Sequence, residues 1–228
     1  SVALLHADVV LVLGARLNWI LHFGEAPKWA DNVKIIQVDN DAEELGKNAG
    51  DAALAIHGDI GAVVEQLLPA AKSLRYSAET PYWKALRASV AKNEATSAKA
   101  AKVDTLPMTY GRVFDVIKST IHSLSNPEDG EVVYVSEGAN TMDISRSIFN
   151  VEHPRLRIDA GTSATMGGGL GYAIAAHMAY NIPSPEGLAG PSQKPKKIVC
   201  LEGDSAFGFS LAEVETMARY KMPILIFV

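Results

Sequence analysis

Short apolar runs alternate along the chain with stretches whose apolar residues recur every three or four positions. Asp8-Val-Val-Leu-Val-Leu-Gly14 is continuously apolar and stops at a glycine, the pattern of a strand buried on both faces. Lys34-Ile-Ile-Gln-Val-Asp39 repeats it, Ala52-Ala-Leu-Ala-Ile-His57 does so more weakly, and helical spacing fills residues 42–45 and 60–72. Strand and helix in turn predict a parallel sheet. Residues 76–103 are rich in Ala, Lys and Ser, with Trp83, Leu86 and Val90 on one stripe, which predicts an exposed amphipathic connecting helix. After Leu106-Pro107 a second series begins: helix 109–124, strand 131–136, helix 142–149, strand 155–158, helix 166–180, strand 197–201, helix 210–220 and strand 223–228. The expected fold is α/β: two consecutive doubly wound parallel-sheet units, residues 1–72 and 109–228, joined by a helical linker over 73–108. Residues 183–195 read as a polar surface loop.

Composition narrows the class of protein. Of 228 residues 48% are apolar and 21% charged, which excludes a disordered chain. A single Cys excludes a disulfide scaffold and points to a reducing compartment. No apolar run nears the roughly 18 residues of a membrane span, and no signal peptide opens the chain, so it reads as soluble and intracellular. Lys plus Arg number 21 against 26 Asp plus Glu, a net charge of -5, and the basic residues are scattered. Nucleic acid and membrane are therefore not expected partners, since phosphate neutralisation needs clustered positive charge. Lys194, Lys196 and Lys197 form the one basic cluster, which reads as a solvated loop. The chain opens without Met, the first unit reads as short of its start, and Pro223-Ile-Leu-Ile-Phe-Val228 ends on an apolar run with no turn after it. It therefore reads as a piece of a longer protein whose second unit is cut short.

In open parallel sheets ligands sit at the carboxyl ends of strands. There Val199-Cys-Leu-Glu-Gly-Asp-Ser-Ala-Phe-Gly-Phe-Ser210 runs from a strand into a turn. Asp204 is a hard oxygen ligand suited to Mg²⁺, and Gly203 permits a tight turn that brings Ser205 near phosphate oxygens. Gly-Asp-Ser is equally the composition of a plain strand-to-helix turn. A second cluster, Asp159-Ala-Gly-Thr-Ser-Ala-Thr-Met-Gly-Gly-Gly-Leu-Gly-Tyr172, also follows a strand and opens a helix. Its N–H groups are either donors for a flat cofactor or the result of close glycine packing. Tyr172 stands where a dinucleotide motif needs its third glycine after Gly167 and Gly169, which disfavours an NAD-type oxidoreductase. Cys200 lies inside a buried strand and reads as a packed thiol, Trp83 as a packing residue on its helix, and the six His show no metal spacing.

Three segments together carry a resemblance: Glu137-Gly-Ala-Asn-Thr-Met-Asp143, Asp159-Ala-Gly-Thr with Thr165-Met-Gly, and Glu202-Gly-Asp-Ser-Ala-Phe-Gly-Phe-Ser210 with Glu213-x-Glu-Thr216. With Gly14-Ala-Arg-Leu-Asn-Trp19, His22-Phe-Gly24 and Gln37-Val-Asp39, the sequence resembles the thiamine-diphosphate enzymes of the 2-hydroxyacyl-CoA lyase and oxalyl-CoA decarboxylase branch. The resemblance implies a middle domain followed by most of a diphosphate-binding domain. It implies Mg²⁺ on Asp204, diphosphate support from Ser205 and Ala206, and cofactor lining by Ala139, Asn140 and Thr141. Ala164, Thr165 and Met166 would surround the aminopyrimidine, with Met166 propping the cofactor in its bent form; Ala164 stands where relatives often have Gly. For the CoA or ADP nucleotide the matching positions are Arg16 and Asp39, with Asp59 or Ile60. Asn93, Arg146 and Ser147 are further substrate contacts.

Two parts of the family pattern are absent. The asparagine pair that completes the Mg²⁺ shell is due where the chain stops, and the amino-terminal domain with the glutamate that protonates the cofactor ring does not appear. No catalytic residue is therefore assigned here, and the chain alone is expected to be inactive. The intact protein is expected to cleave 2-hydroxyacyl-CoA to formyl-CoA and an aldehyde one carbon shorter, as in fatty acid α-oxidation, and to form a homodimer or homotetramer. Oxalyl-CoA decarboxylase, an acetohydroxyacid-synthase-like activity and a non-catalytic CoA- or ADP-binding module are the alternatives. A peroxisomal address follows from the resemblance, and a cytoplasmic one is compatible with the composition.

Overall fold

The computed structural model describes residues 1–183 and 194–228. The loop expected over 183–195 falls, but for its ends, outside the described residues. The chain forms two compact units, Ser1–Glu94 and Ala95–Val228.

The first unit holds helix α1 (Val2–Leu5) and strands β1 (Val9–Leu13), β2 (Lys34–Asp39) and β3 (Ala55–His57). The strands are parallel and lie side by side in chain order, with Leu11 opposite Ile36 and Val38 opposite Ile56. Its core is Val12, Leu17, Trp29 and Ile35, flanked by Leu4, Val10, Leu21 and Val33. β3 is shorter than the apolar run predicts because the Asp51 carboxylate accepts the Ala53 N–H (2.8 Å) and bends residues 52–54 into a 3₁₀ turn. Helix α2 (Ile60–Ala71) begins where Asp59 caps it, accepting the Ala62 N–H at 2.9 Å. Helix α3 (Pro81–Ala101) matches the expected connecting helix. Tyr82, Trp83 and Leu86 on it are half-buried, whereas Val90 is exposed.

The second unit contains α4 (Tyr110–Leu124), β4 (Val132–Glu137), α5 (Ala139–Ile148), β5 (Arg157–Asp159), α6 (Gly169–Asn181), β6 (Lys197–Glu202), α7 (Asp204–Ser210), α8 (Glu213–Arg219) and β7 (Ile224–Phe227). Its four parallel strands lie in the order β5-β4-β6-β7. Side chains alternate across a strand, so each strand of the pair β4 and β6 feeds both faces. Val132, Tyr134, Val199 and Leu201 meet Phe114, Ile117 and Ile121 of α4 and Phe149 just past α5. Val133, Val135, Ile198 and Cys200 meet Leu170, Ala173, Ala176 and Tyr180 of α6 and Met217 of α8. The continuous apolar runs of the sequence are strands covered on both sides, and the parallel α/β architecture expected from them is the one adopted.

Three helix starts differ from the periodicity. α5 begins at Ala139 rather than 142, because Gly138 at φ +96° turns the chain as soon as the strand ends. α6 begins at Gly169 rather than 166, because Ala164 (φ +49°) and Gly167 (φ +90°) hold the preceding residues in left-handed conformations that no helix includes. The helix expected over 210–220 is α8, starting at Glu213, and α7 before it, over Asp204–Ser210, is a helix that the periodicity did not predict. Between them the backbone tightens to three-residue bonds, Val214 N–H to Leu211 O and Glu215 N–H to Ala212 O, each 3.1 Å. The basic cluster is no free solvated loop: Lys196 Nζ donates to Gly130 O at 2.5 Å and lies over the Tyr180 ring, and Lys197 Nζ donates to Ser125 Oγ. These bonds tie the start of β6 to the turn that precedes β4.

Candidate functional site

From β4 the chain runs to β5 on one side and, through α6, from β5 back to β6 on the other side of β4, so the strand order reverses between β4 and β6. At such a reversal the connections leave in opposite directions and open a crevice at the carboxyl ends. Glu137 stands opposite Glu202 there, and the two glycines that follow touch. A Cβ on Gly138 would lie 3.1 Å from Gly203 Cα and 3.2 Å from its nitrogen, and Gly203 N–H donates to Glu137 O at 3.1 Å. Past this contact the chain enters α5 on one side and α7 on the other.

Asp204 is the first residue of α7 and is exposed; its Oδ1 accepts the Ser205 N–H at 2.7 Å, with Ser205 Oγ at 3.5 Å. A cleft of 340 Å³ opens beside it, lined by Thr141, Gly203 and Asp204 and walled by Tyr110 and Phe114. The approach of the other helix comes through the loop after β5. Asp159 Oδ1 accepts the Gly161 N–H at 2.9 Å, a 3₁₀ turn covers Gly161–Ser163, and Ala164, Thr165 and Met166 follow, all exposed. The next N–H groups are not open to a ligand, as the sequence allowed. The Glu137 carboxylate accepts both the Gly167 and the Gly169 N–H.

Glu202 lies against the same turn and is 3% exposed. Its Oε1 accepts the Cys200 Sγ–H at 3.0 Å, and Oε2 has no protein partner. Burial pushes the Glu202 carboxyl up to about 7; the Cys200 bond pulls it down, and Glu137 adds to the rise. Burial first and Glu202 second push the Cys200 thiol well above its ordinary range, so Cys200 is a packed thiol and no nucleophile. Because the folded protein keeps a proton on Glu202 that the unfolded chain releases, stability should fall as pH rises from about 4.5 to about 7 and level off above. Thermal melts of the cofactor-free chain should show wild type losing ground to Glu202→Gln across that window. A constant gap between the two would refute it.

Among the residues singled out from sequence, Asp204, Ser205, Ala139, Asn140, Thr141, Ala164, Thr165 and Met166 all lie at the carboxyl edge of the second sheet. Thr141 is buried one turn into α5, and the Ala206 methyl is 1% exposed, so Ala206 offers a ligand only backbone. Arg146 has internal partners: Asp159 Oδ2 takes Nη2 at 2.9 Å and Nε at 3.1 Å, and Asp143 lies at 3.5 Å. Ser147 Oγ donates to Ile144 O at 2.7 Å and lines a separate cavity with Ser97 and Thr109. In the first unit Arg16, Asp39 and Asp59 gather at the carboxyl edge of the sheet. Arg16 pairs with Glu44 (3.5 Å), and Asp39 accepts the Asp41 N–H (2.9 Å). Ile60 opens α2 directly after Asp59, and Asn93 is exposed on α3 rather than on the strand ends. Sequence reasoning gave Glu137 and Glu202 no role. Their signal was an acid directly before a glycine at the end of two buried strands. Among the described residues no three His, Cys, Asp or Glu side chains gather as a metal cluster, and no helix is long and apolar enough to cross a membrane. A cation at Asp204 would thus rely on one carboxylate, water and substrate phosphate, a shell that suits Mg²⁺.

The comparisons agree with this geometry. Residues 1–67 match the thiamine pyrophosphate enzyme central domain, and residues 137–228 match the thiamine pyrophosphate enzyme C-terminal TPP binding domain. Benzoylformate decarboxylase from Polynucleobacter necessarius has the same fold, at TM-score 0.67 and 17% identity over 96% of this chain and 35% of its own. These two domain matches, one within each unit, place the chain among the thiamine pyrophosphate enzymes. More narrowly, it is similar to proteins named 2-hydroxyacyl-CoA lyase: 2-hydroxyacyl-CoA lyase 1 of Homo sapiens is 47% identical over 100% of this chain and 37% of its own length. The Saccharomyces cerevisiae 2-hydroxyacyl-CoA lyase is 41% identical over 100% of this chain and 38% of its own. Oxalyl-CoA decarboxylase of Escherichia coli K12 is 34% identical over 99% and 36%. The chain thus spans a little over a third of the length of these relatives.

Proposed function

We propose that this chain forms the central and cofactor-binding parts of a thiamine-diphosphate- and Mg²⁺-dependent lyase that cleaves 2-hydroxyacyl-CoA to formyl-CoA and an aldehyde one carbon shorter. What supports this choice of substrate is the 47% identity, along the whole chain, to a protein named for it, against 34% to an oxalyl-CoA decarboxylase. When bound, the cofactor supplies the nucleophilic carbon and the electron sink for breaking the carbon–carbon bond. The chain's own part is to hold and orient. Asp204 binds the cation with a full negative charge, Ser205 stands beside it, and Thr141 and Asn140 face the cofactor from the first turn of α5. Met166, 51% exposed on its loop, is the side chain that bears on the cofactor rings. On the first unit, Arg16 suits a phosphate and Asp39 a ribose hydroxyl of the CoA nucleotide. A homodimer or homotetramer, and a peroxisomal or cytoplasmic address, belong to the same proposal and are checked by sizing and by fractionation of the full-length protein.

The test is turnover by full-length protein with thiamine diphosphate, Mg²⁺ and a 2-hydroxyacyl-CoA. Aldehyde and formyl-CoA are expected in equal amounts. No aldehyde with both cofactors present would sink the lyase, and turnover of oxalyl-CoA instead would select the decarboxylase.

A further inference from the structure

Glu137 ends β4 with its side chain 3% exposed, and both carboxylate oxygens serve one stretch of backbone. Oε1 accepts the Gly167 N–H and Oε2 the Gly169 N–H. A buried charge is costly unless fully bonded, and here it is met by N–H groups at the start of the thirteen-residue helix α6, where the helix dipole favours an anion. The chain is shaped around this grip: Gly167 takes φ +90°, and a Cβ on Gly169 would lie 2.6 Å from Glu137 Oε2.

The grip falls immediately after Met166. On the other side of the loop a second acid does the same work, Asp159 accepting the Gly161 N–H at 2.9 Å while Arg146 holds its other oxygen at 2.9 Å. The loop is thus anchored at both ends by carboxylates, leaving Ala164, Thr165 and Met166 exposed between them. Gly167 is also pressed against α7, where a Cβ would lie 3.0 Å from Phe209 Cβ. α7 begins with Asp204, so the segment that carries Met166 packs on the helix that carries Asp204.

We propose that Glu137 is a positioning residue for the cofactor: its carboxylate sets where Met166 stands relative to Asp204, and through Met166 it governs cofactor affinity and turnover. This rests on the cofactor reading given above. Arg146 and Arg157 neutralise Asp159, whereas Glu137 has only backbone donors on its oxygens, so its grip is the more sensitive to a change of one atom.

The experiment is a double-mutant cycle in the full-length protein, made of Glu137→Gln, Met166→Ala and both together. Cofactor binding in the presence of Mg²⁺ is followed by calorimetry and by the near-ultraviolet circular dichroism of bound thiamine diphosphate; kcat and KM for the acyl-CoA are measured separately. Glutamine turns one accepting oxygen into an amine that faces an N–H it cannot receive. Loss of one charged hydrogen bond predicts cofactor binding weaker by about 10- to 100-fold. kcat should fall at least about tenfold while KM for the acyl-CoA stays within about twofold, because nothing that binds the acyl-CoA has moved. In the Met166→Ala background Glu137→Gln should change kcat by less than about threefold, since the side chain it positions is gone. Additive losses in the cycle, or unchanged affinity and kcat whatever happens to the melting temperature, overturn the proposal. If Glu137→Gln does not fold, Glu137→Asp, which keeps the charge one methylene short, takes its place in the same cycle with the same criteria. Unsubstituted protein that binds no thiamine diphosphate overturns the cofactor reading and this proposal together; binding with an additive cycle overturns this proposal alone.

Discussion

Gly169→Ala is expected to lower the melting temperature of the second unit by about 10 °C or more, or to prevent it from folding. Alanine is the better helix former, by about 1 kcal/mol at a helix position, so propensity alone predicts stabilisation. The surroundings reverse the sign. A Cβ at this position would collide with Glu202 Oε1 and lie 2.6 Å from Glu137 Oε2 and 2.9 Å from Glu137 Cβ. Neither side chain has room to retreat: both carboxylates are buried and lie at the ends of the two central strands. Overpacking costs about 1–3 kcal/mol, and displacing Glu137 from its two N–H donors adds about 1.5–3 kcal/mol for a charged hydrogen bond. At a few degrees per kcal/mol for a unit of this size the shift is large. Gly171→Ala is the control: a Cβ there meets nothing within 4 Å, so the same helix should gain about 0.5–1 kcal/mol. Circular dichroism melts of both variants decide the matter. Equal melting temperatures would mean that the two carboxylates do not fill the space beside Gly169.

Asp204→Asn in the full-length protein is expected to weaken Mg²⁺-dependent thiamine diphosphate binding by about 100-fold or more, through loss of a carboxylate oxygen at the crevice mouth. The fold should survive it. Asp204 is exposed, and its carboxylate is bonded only within its own turn, to Ser205 at 2.7 Å. An asparagine oxygen can accept that bond equally well. Melting temperature should therefore move by no more than about 2 °C, as is usual for a surface change of within about 0.5 kcal/mol, while titration of cofactor against Mg²⁺ shifts strongly. Unchanged binding would place the cation on other residues. This pair of substitutions separates two expected roles: Gly169 in the packing beneath the crevice, Asp204 in binding the ligand at its mouth.

Much of the second unit was legible because its strands are buried on both faces. β4 is buried at all six residues, and its first four, Val132 to Val135, are apolar, a signature that survives without any knowledge of its partners. Asp204 was legible for a related reason, standing one glycine past such a strand. Helix starts were not. Whether residues 139–141 and 166–168 join a helix depends on the φ angles of Gly138, Ala164 and Gly167, and apolar periodicity carries no such information. The lysines before β6 looked solvated because their partners, Gly130 and Ser125, belong to a turn on the far side of β5 and α6 in the chain.

The carboxylate pair marks the limit. Glu137 and Glu202 fall one residue past the strands expected over 131–136 and 197–201, and the sequence gives no sign that they are buried or that they face each other. By itself the sequence determined the parallel α/β class and the family, and it marked Asp204 as the candidate cation ligand, since these follow from local patterns of burial and from motifs within one turn. Only the tertiary structure decided that the strand order reverses between β4 and β6, that the glycines past their ends touch, and that Glu137 takes the Gly167 and Gly169 N–H groups at the start of α6. The physical reason is that hydrogen bonds and close contacts between distant segments are set by register and approach distance, which a linear pattern of apolar and polar residues does not contain.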